Sequence, residues 1–517
     1  MNNSGIKILT WLIIAISVLA SFYIGSKVAE GNYFNLGLCC ALVVGAFYAL
    51  FINKYWIFIS LAIASFAVKI QPMGPALDSE HLAVLLAAGF IFSNFWKKAK
   101  RAPNETLVSG AFVLFNKAFI VFTFYLLIHA YVTYYYPSPE IVIAFGNLAK
   151  QYFYFWSPFA VVWATVCFIR FLPPIKKPHT WIGMLFLLGI TFNVILRAYS
   201  TFVIGVGEKD LVTGEFIGAS ALYIPVLNLT DNIYALRGLS PLVALFGIAM
   251  LTSRNKNLTG GGQKILWVLL LILGIVGSML SMGRATIMIT AFLVLLCLII
   301  RKHIAAVALI FLLFVFLIVG ARIAYETDRD YVPFGLQRSL AMIPGMDMPE
   351  AKGDIDSSSD YRWTLAMLTF TEWSSNSRKF FVGRGVHAFT DRDLLVLKYG
   401  EVYSKMNFAV RRGVTHNIVT DLLITIGLVG TVLYVFVFIG FILSIVKILR
   451  LAKNSKNITY DSLFVCLLFS VSMIPIYILG GSGVYNTVVL VFSATLANIA
   501  ALSPSMLEAL EDRNHGL

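Results

Sequence analysis

Residues 411–433 read RRGVTHNIVTDLLITIGLVGTVL, in which a basic, glycine-containing loop runs directly into a long apolar segment. The apolar segment continues to about residue 446, which exceeds the roughly 20 residues needed to cross the hydrocarbon core of a bilayer. The stretch therefore predicts a membrane span that begins where a polar loop re-enters the bilayer.

The composition extends this prediction to the whole chain. Of 517 residues, 59% are hydrophobic and only 13% are charged, whereas soluble domains carry about 25% charged residues. The sequence predicts an all-α polytopic integral membrane protein with about twelve to fourteen transmembrane helices, because a span needs roughly 20 apolar residues. The candidate spans lie near 6–26, 34–52, 55–70, 82–96, 107–133, 151–172, 181–198, 237–253, 265–283, 285–300, 304–322, 417–446, 459–480 and 487–503.

The distribution of basic residues predicts the orientation. Lysine and arginine gather in alternate short loops, such as 97–101, 176–177 and 447–456. By the positive-inside rule these loops are cytoplasmic, and so are both termini. The net charge of +14 is thus a topology signal, and no nucleic-acid partner is expected. Residues 6–26 could pass for a weak signal peptide, but further spans follow and favour an uncleaved first helix.

The cysteines and acidic residues give no sign of a metal site. All five cysteines stand inside apolar runs, and none has the spacing of metal ligands or of a disulfide framework. We expect buried thiols, no metal and no cofactor.

One long loop, residues 323–416, separates two spans on the outer face. Loops of this length are uncommon and tend to be functional. Within it, Trp363, Met367, Leu368 and Phe370 recur at helical spacing. The pattern predicts a helix over 361–373, starting near Asp360 or Ser359, that is packed on the outer ends of the bundle.

Arginines at the outer ends of spans are the first candidate functional residues. They are Arg197, Arg237, Arg284 and Arg322. Charges at membrane depth mark functional sites by default, although long side chains near helix ends can also snorkel to water. Arg284 has the strongest claim because it lies between two apolar runs with almost no loop.

The long loop supplies two more candidates. Arg362 lies near the start of the predicted helix, where free N–H groups favour anions; the alternative is an ion pair with Asp360 or Asp356. His416 follows Arg411 and Arg412, whose charges favour a neutral imidazole able to accept a proton. The alternative for His416 is a structural histidine or a helix cap.

The order of these motifs resembles the O-antigen ligase/polymerase family of bacterial envelope polysaccharide assembly. SMLSMGR ends at Arg284, RW at 362–363 precedes FVGRGVHAF at 381–389, and THNIVTDLLITIGLVG at 415–430 opens a span. The resemblance covers about residues 265–445. The acidic residue usual before G-L-x-G is replaced here by Thr425 or Ile426, and GRG replaces the commoner G-x-G with small residues.

The resemblance implies a GT-C-like membrane glycosyltransferase that polymerises undecaprenyl-diphosphate-linked repeat units on the periplasmic face of the bacterial inner membrane. Arg284 and Arg362 would hold the diphosphate, and His416 would stand beside the acceptor hydroxyl. Additional substrate contacts are expected from Arg411, Arg412, Arg384, Asn417, Tyr361 and Arg322. Besides the donor, the acceptor and the bilayer, a chain-length regulator and a flippase are the expected partners.

The same reasoning divides the chain into N-terminal spans (1–264), a family-like core (265–446) and C-terminal spans with a short tail (447–517). A ligase that passes the glycan to lipid A-core or to a protein is the nearest alternative. A lipid-linked glycan flippase is more remote, because transporters tend to show repeated halves and charges near the midplane.

Overall fold

The computed structural model describes residues 112–135, 178–202, 233–253, 261–281, 284–327, 348–385 and 417–452, with isolated positions in 152–163, 223–230, 337–341 and 461–469. This part of the chain is mostly helical. Its elements are α1 (Val113–Tyr135), α2 (Pro178–Phe202), β1 (Tyr223–Ile224), β2 (Leu229–Thr230), α3 (Ile233–Leu251), α4 (Gly261–Leu280), α5 (Arg284–Ile300), α6 (Ile304–Thr327), α7 (Pro349–Ser374), α8 (Ser377–Val382) and α9 (Ile418–Ala452).

The described helices match the predicted spans in the same part of the chain. Segments of α1, α2, α4 and α9 are long and apolar enough to cross a membrane, namely Val113–Thr133, Ile182–Tyr199, Gly261–Leu280 and Ile418–Lys447. Shorter apolar helices lie within α3 and α5. The prediction of a helical membrane protein is confirmed to this extent. The spans predicted before residue 107 and after residue 480 lie outside the described residues.

Helices α2, α3, α4 and α5 pack through small residues. A Cβ on Gly274 of α4 would lie 2.8 Å from the Cβ of Ala244 on α3, and one on Gly247 would lie 2.7 Å from the carbonyl oxygen of Trp267. Such contacts bring helix backbones close together, which is how membrane helices gain packing energy without a hydrophobic drive between them.

Helices α1 and α9 form a second, antiparallel pair. Phe115 of α1 lies 6.0 Å from Phe441 of α9, and Phe122 lies 5.8 Å from Tyr434, between ring centroids. Later residues of α1 therefore meet earlier residues of α9. This pairing brings the C-terminal end of α1 to the N-terminal part of α9, where the long loop re-enters.

A buried ion pair lies at the C-terminal end of α5. Arg301 pairs with Asp461, whose second carboxylate oxygen accepts a 2.6 Å hydrogen bond from the Ser253 hydroxyl. The Phe464 ring lies 5.0 Å below the Arg301 guanidinium. This cluster joins the ends of α3 and α5 to the segment that carries Asp461.

A short ladder adds to the helices, and the predicted start of α7 needs correction. β1 and β2 form a two-stranded antiparallel ladder between the spans predicted at 181–198 and 237–253. The helix predicted to start near residue 361 starts at Pro349 instead. Of the predicted stripe, Trp363, Met367 and Phe370 are exposed and Leu368 is half-buried, while Leu365 and Thr369 are fully buried.

Candidate functional site

Helix α9 is interrupted at Gly427 inside its membrane-spanning segment. Gly427 has φ 68° and ψ −176°, a backbone conformation that is open essentially only to glycine. A break of this kind removes the partners of the preceding carbonyl groups, and in a membrane those groups must be satisfied from elsewhere in the protein. The break therefore needs a partner segment.

That partner is the glycine-arginine-glycine segment that follows α8. The Arg384 N–H donates to the carbonyl oxygen of Ile424 at 2.8 Å, and the Gly385 N–H donates to that of Thr425 at 2.9 Å. Gly383 and Gly385 have φ values of 83° and 84°. We call this joint, residues 382–385 against 424–427, the clasp.

Gly383 and Gly427 touch each other directly across the clasp. A Cβ on Gly383 would lie 2.6 Å from the Thr425 carbonyl oxygen, and one on Gly427 would collide with the Gly383 nitrogen. Glycine is required here both for its conformation and for the close approach of two backbones. Two motifs over forty residues apart in the sequence thus form one joint.

Helix α1 completes the clasp with two side chains. The Tyr125 hydroxyl donates to the carbonyl oxygen of Ile426 at 2.6 Å, so three successive carbonyls before the break are all occupied. His129 Nε2 lies 2.5 Å from the Val382 carbonyl oxygen. Because a carbonyl only accepts, this nitrogen carries the proton, and Nδ1 accepts from the hydroxyl of Tyr152, its other neighbour. With both ring nitrogens occupied, His129 holds the clasp in place.

A cluster of ion pairs joins the C-terminal end of α7 to the clasp. Glu372 accepts from Lys379 at 2.7 Å and from Arg384 at 3.1 Å, and the Arg384 side chain is 2% exposed. Trp373 donates its indole N–H to the Phe380 carbonyl oxygen at 2.9 Å, and the two rings stack with centroids 4.5 Å apart. Glu372 thus pairs with the buried Arg384, a residue predicted to bind substrate, and shares its carboxylate with Lys379.

A second cluster of arginines forms where α4 ends. Arg197 Nε donates to the Leu280 carbonyl oxygen at 3.2 Å, and Arg237 Nε donates to that of Ser281 at 3.1 Å. The last carbonyls of a helix lack intrahelical partners and carry a partial negative charge, so cations are favoured there. Arg284 opens α5 three residues later. Two of the four predicted boundary arginines therefore bind the end of α4, and the backbone of a third, Arg284, begins the next helix.

The remaining predicted residues have separate positions. Arg322 is exposed on α6 and pairs with Glu326 on the same helix at 2.8 Å. Arg362 is exposed and Tyr361 is half-buried. Because α7 starts at Pro349, Arg362 lies in mid-helix, and the argument from a helix N-terminus was wrong.

Asn417 serves as the cap of α9. Its side-chain oxygen accepts from the Val419 N–H at 2.9 Å. His416, Arg411 and Arg412 lie outside the described residues, so their predicted roles stay predictions.

Sequence reasoning missed Tyr125, His129 and Tyr152. All three lie in apolar runs. An ionisable residue within a span is a candidate site by default, and that rule applied to His129 would have found it.

Among the residues that the structure describes, no cluster of His, Cys, Asp and Glu could hold a metal ion. No protein-family model matches the chain, and no curated protein matches it.

Proposed function

We propose that the chain is a membrane glycosyltransferase that polymerises undecaprenyl-diphosphate-linked oligosaccharide repeat units at the periplasmic surface of the bacterial inner membrane. The observation that carries the proposal is the clasp. FVGRG at 381–385 and TIGLVG at 425–430 are two of the motifs on which the resemblance rests, and they pack against each other at a break in a membrane helix.

The position of the clasp suits a lipid diphosphate substrate. Residues 428–447 of α9 are twenty residues, which at 1.5 Å per residue span about 30 Å, the thickness of the hydrocarbon core. In this proposal these last twenty residues of the candidate span Ile418–Lys447 fill the hydrocarbon core, and Gly427 lies level with the membrane surface. A diphosphate attached to a polyprenyl tail lies at the same level.

The chemistry assigned to the site needs cations and one base. Two arginines can bind a diphosphate through charge-assisted, bidentate hydrogen bonds and stabilise the leaving group. In this proposal Arg284 and Arg362 do so, Arg362 from an exposed position on α7. His416 removes the proton from the attacking sugar hydroxyl, a contribution of about 10²–10⁴ in rate.

The test uses cells in which the chain is the sole polymerase of their surface polysaccharide. Arg284→Ala, Arg362→Ala and His416→Ala variants are expected to lose the ladder of chain lengths while single repeat units persist. Lys352→Ala is the matched control for Arg362→Ala, because Lys352 is also an exposed cation on α7. It should leave the ladder intact.

The products separate the proposal from its alternatives. Polymer that accumulates on undecaprenyl diphosphate without reaching lipid A would identify a ligase instead. Loss of lipid-linked repeat units from the outer face would identify a flippase. Normal ladders in all three variants at equal expression would remove Arg284, Arg362 and His416 from the site.

A further inference from the structure

The exposed apolar face of α7 lies close to the level of the membrane surface. Two observations set this level. Gly427 interrupts α9 twenty residues before the end of its candidate span Ile418–Lys447, a length that is itself enough to cross the hydrocarbon core. A Cβ on Gly385 would collide with the side chain of Thr133, the last residue of the α1 span. The clasp thus lies where two antiparallel spans reach the surface.

Helix α7 is fixed to the clasp by its C-terminal end. Trp373 and Glu372 bind α8 and Arg384, as described above, and α8 leads into Gly383 within one residue. Phe381 of α8 is 51% exposed while its carbonyl oxygen lies against Gly427. The last turns of α7 are therefore held near the bilayer, whereas its N-terminal end lies up to about 37 Å away along a helix of 26 residues that rises 1.5 Å per residue.

One face of α7 changes from polar to apolar along this length. Residues seven apart share a face, and on this face Lys352, Asp356 and Ser359 are exposed in the N-terminal half. The same face continues as Trp363 at 71%, Met367 at 51% and Phe370 at 51% exposure. The apolar part is the part nearest the clasp.

Among the described residues, most of this apolar face is left outside the internal packing, although the Phe370 ring lies 5.1 Å from that of Trp373. Leu365, Thr369 and Trp373 fill the buried face of α7, which packs with α8 and α9. Large exposed side chains at helical spacing, with tryptophan among them, suit the membrane interface, where aromatic rings lie at headgroup level.

We propose that Trp363, Met367 and Phe370 form a docking surface for the lipid bilayer, into whose interface the C-terminal half of α7 inserts obliquely. The polar half of the same face then stands in water. This contact would hold α7 against the membrane through the face that does not pack on α8 and α9. The inference rests on exposure and position and does not depend on the proposed glycosyltransferase activity.

Photocrosslinking tests this in the full-length chain reconstituted in nanodiscs of phosphatidylethanolamine and phosphatidylglycerol. The photoreactive residue p-benzoylphenylalanine replaces Trp363, Met367 or Phe370 one at a time, with Asp356 as the matched control on the polar part of the same face. All four positions are exposed, and a monodisperse elution profile checks folding. Phospholipid adducts, identified by mass, are expected at several-fold higher yield from the three apolar positions than from position 356.

Three results would overturn the proposal. They are lipid adduct yields equal to those of the position 356 control, a crosslinked dimer as the main product, and a crosslink to another segment of the same chain. A further variant tests whether the label contacts lipid only because the label itself is hydrophobic. With Met367→Glu and Phe370→Glu added, the adduct yield from position 363 should fall several-fold, and an unchanged yield would also overturn the proposal.

Discussion

Two helix ends in this protein provide hydrogen-bond donors for their last carbonyl groups in different ways. At the end of α4, the last carbonyls receive hydrogen bonds from the side chains of Arg197 and Arg237. At the break in α9, the carbonyls of Ile424 and Thr425 receive them from the backbone of Arg384 and Gly385. The first joint depends on the charge and length of two arginine side chains. The second depends on glycines, whose lack of a side chain lets two backbones approach closely.

This difference predicts how each joint fails. A side-chain cap can be removed in steps, and water can replace it where the arginine is partly exposed. A backbone clasp tolerates no added atom, because two glycines touch across it. We expect the largest losses of stability at the clasp.

Gly427→Ala should have the largest effect. The added methyl group meets the Gly383 nitrogen, and φ 68° with ψ −176° is strained for alanine. Strain and overpacking together are expected to lower the free energy of unfolding by about 3–5 kcal/mol, measured by denaturant titration in mixed micelles. Gly353→Ala is the matched control, because nothing lies within 4 Å of its Cβ position in α7. That change should stabilise by about 0.5–1 kcal/mol, and equal losses from both variants would contradict the clasp.

Arg197→Met should destabilise the other joint by about 1–3 kcal/mol, because it leaves the Leu280 carbonyl without a donor in a buried position. Arg197 is 2% exposed, whereas Arg237 is half-buried. Arg237→Met should therefore cost less, since a half-buried arginine side chain has less packing to lose. The same titration checks both variants. A larger loss from Arg237→Met would refute this ranking.

His129→Phe should loosen the clasp from the side of α1. It removes the donor to the Val382 carbonyl and is expected to cost about 1–3 kcal/mol. Hydrogen exchange at the Arg384 and Gly385 amides should become faster. Tyr152→Phe removes one bond to His129 and should produce a smaller change of the same kind. Unchanged exchange at both amides in His129→Phe would show that the histidine does not hold the clasp.

Asn417→Ala should have the smallest effect, about 1 kcal/mol for the loss of an N-cap. Because Gly427 separates the two halves of α9, the amides of 419–426 should exchange faster while those of 428–447 stay protected. Faster exchange throughout 419–447 would mean that α9 behaves as one continuous helix.

Part of this architecture could be predicted from the sequence. Apolar length is a local property, so the spans that contain α1, α2, α4 and α9 were found with their approximate bounds. The boundary arginines Arg197, Arg237 and Arg284 were found because a charge beside an apolar run is conspicuous.

Long-range relations could not be predicted. Gly427 lies in an apolar run that is compatible with an unbroken helix, and only the contact with Gly383 reveals why the helix stops there. Which face of α7 packs could not be predicted, because periodicity identifies an apolar stripe and does not say what covers it. Thr369 is buried on this helix, and its hydroxyl donates a hydrogen bond to the Leu365 carbonyl oxygen at 2.7 Å.

The most direct test of the proposed function measures release of undecaprenyl diphosphate by the full-length chain in nanodiscs supplied with undecaprenyl-diphosphate-linked repeat units from its own organism. The unaltered chain should release the carrier in step with glycan growth. Arg284→Ala and Arg362→Ala should release little, and Lys352→Ala should match the unaltered chain. Equal release by all four proteins, or none from a correctly folded unaltered chain, would contradict the proposal.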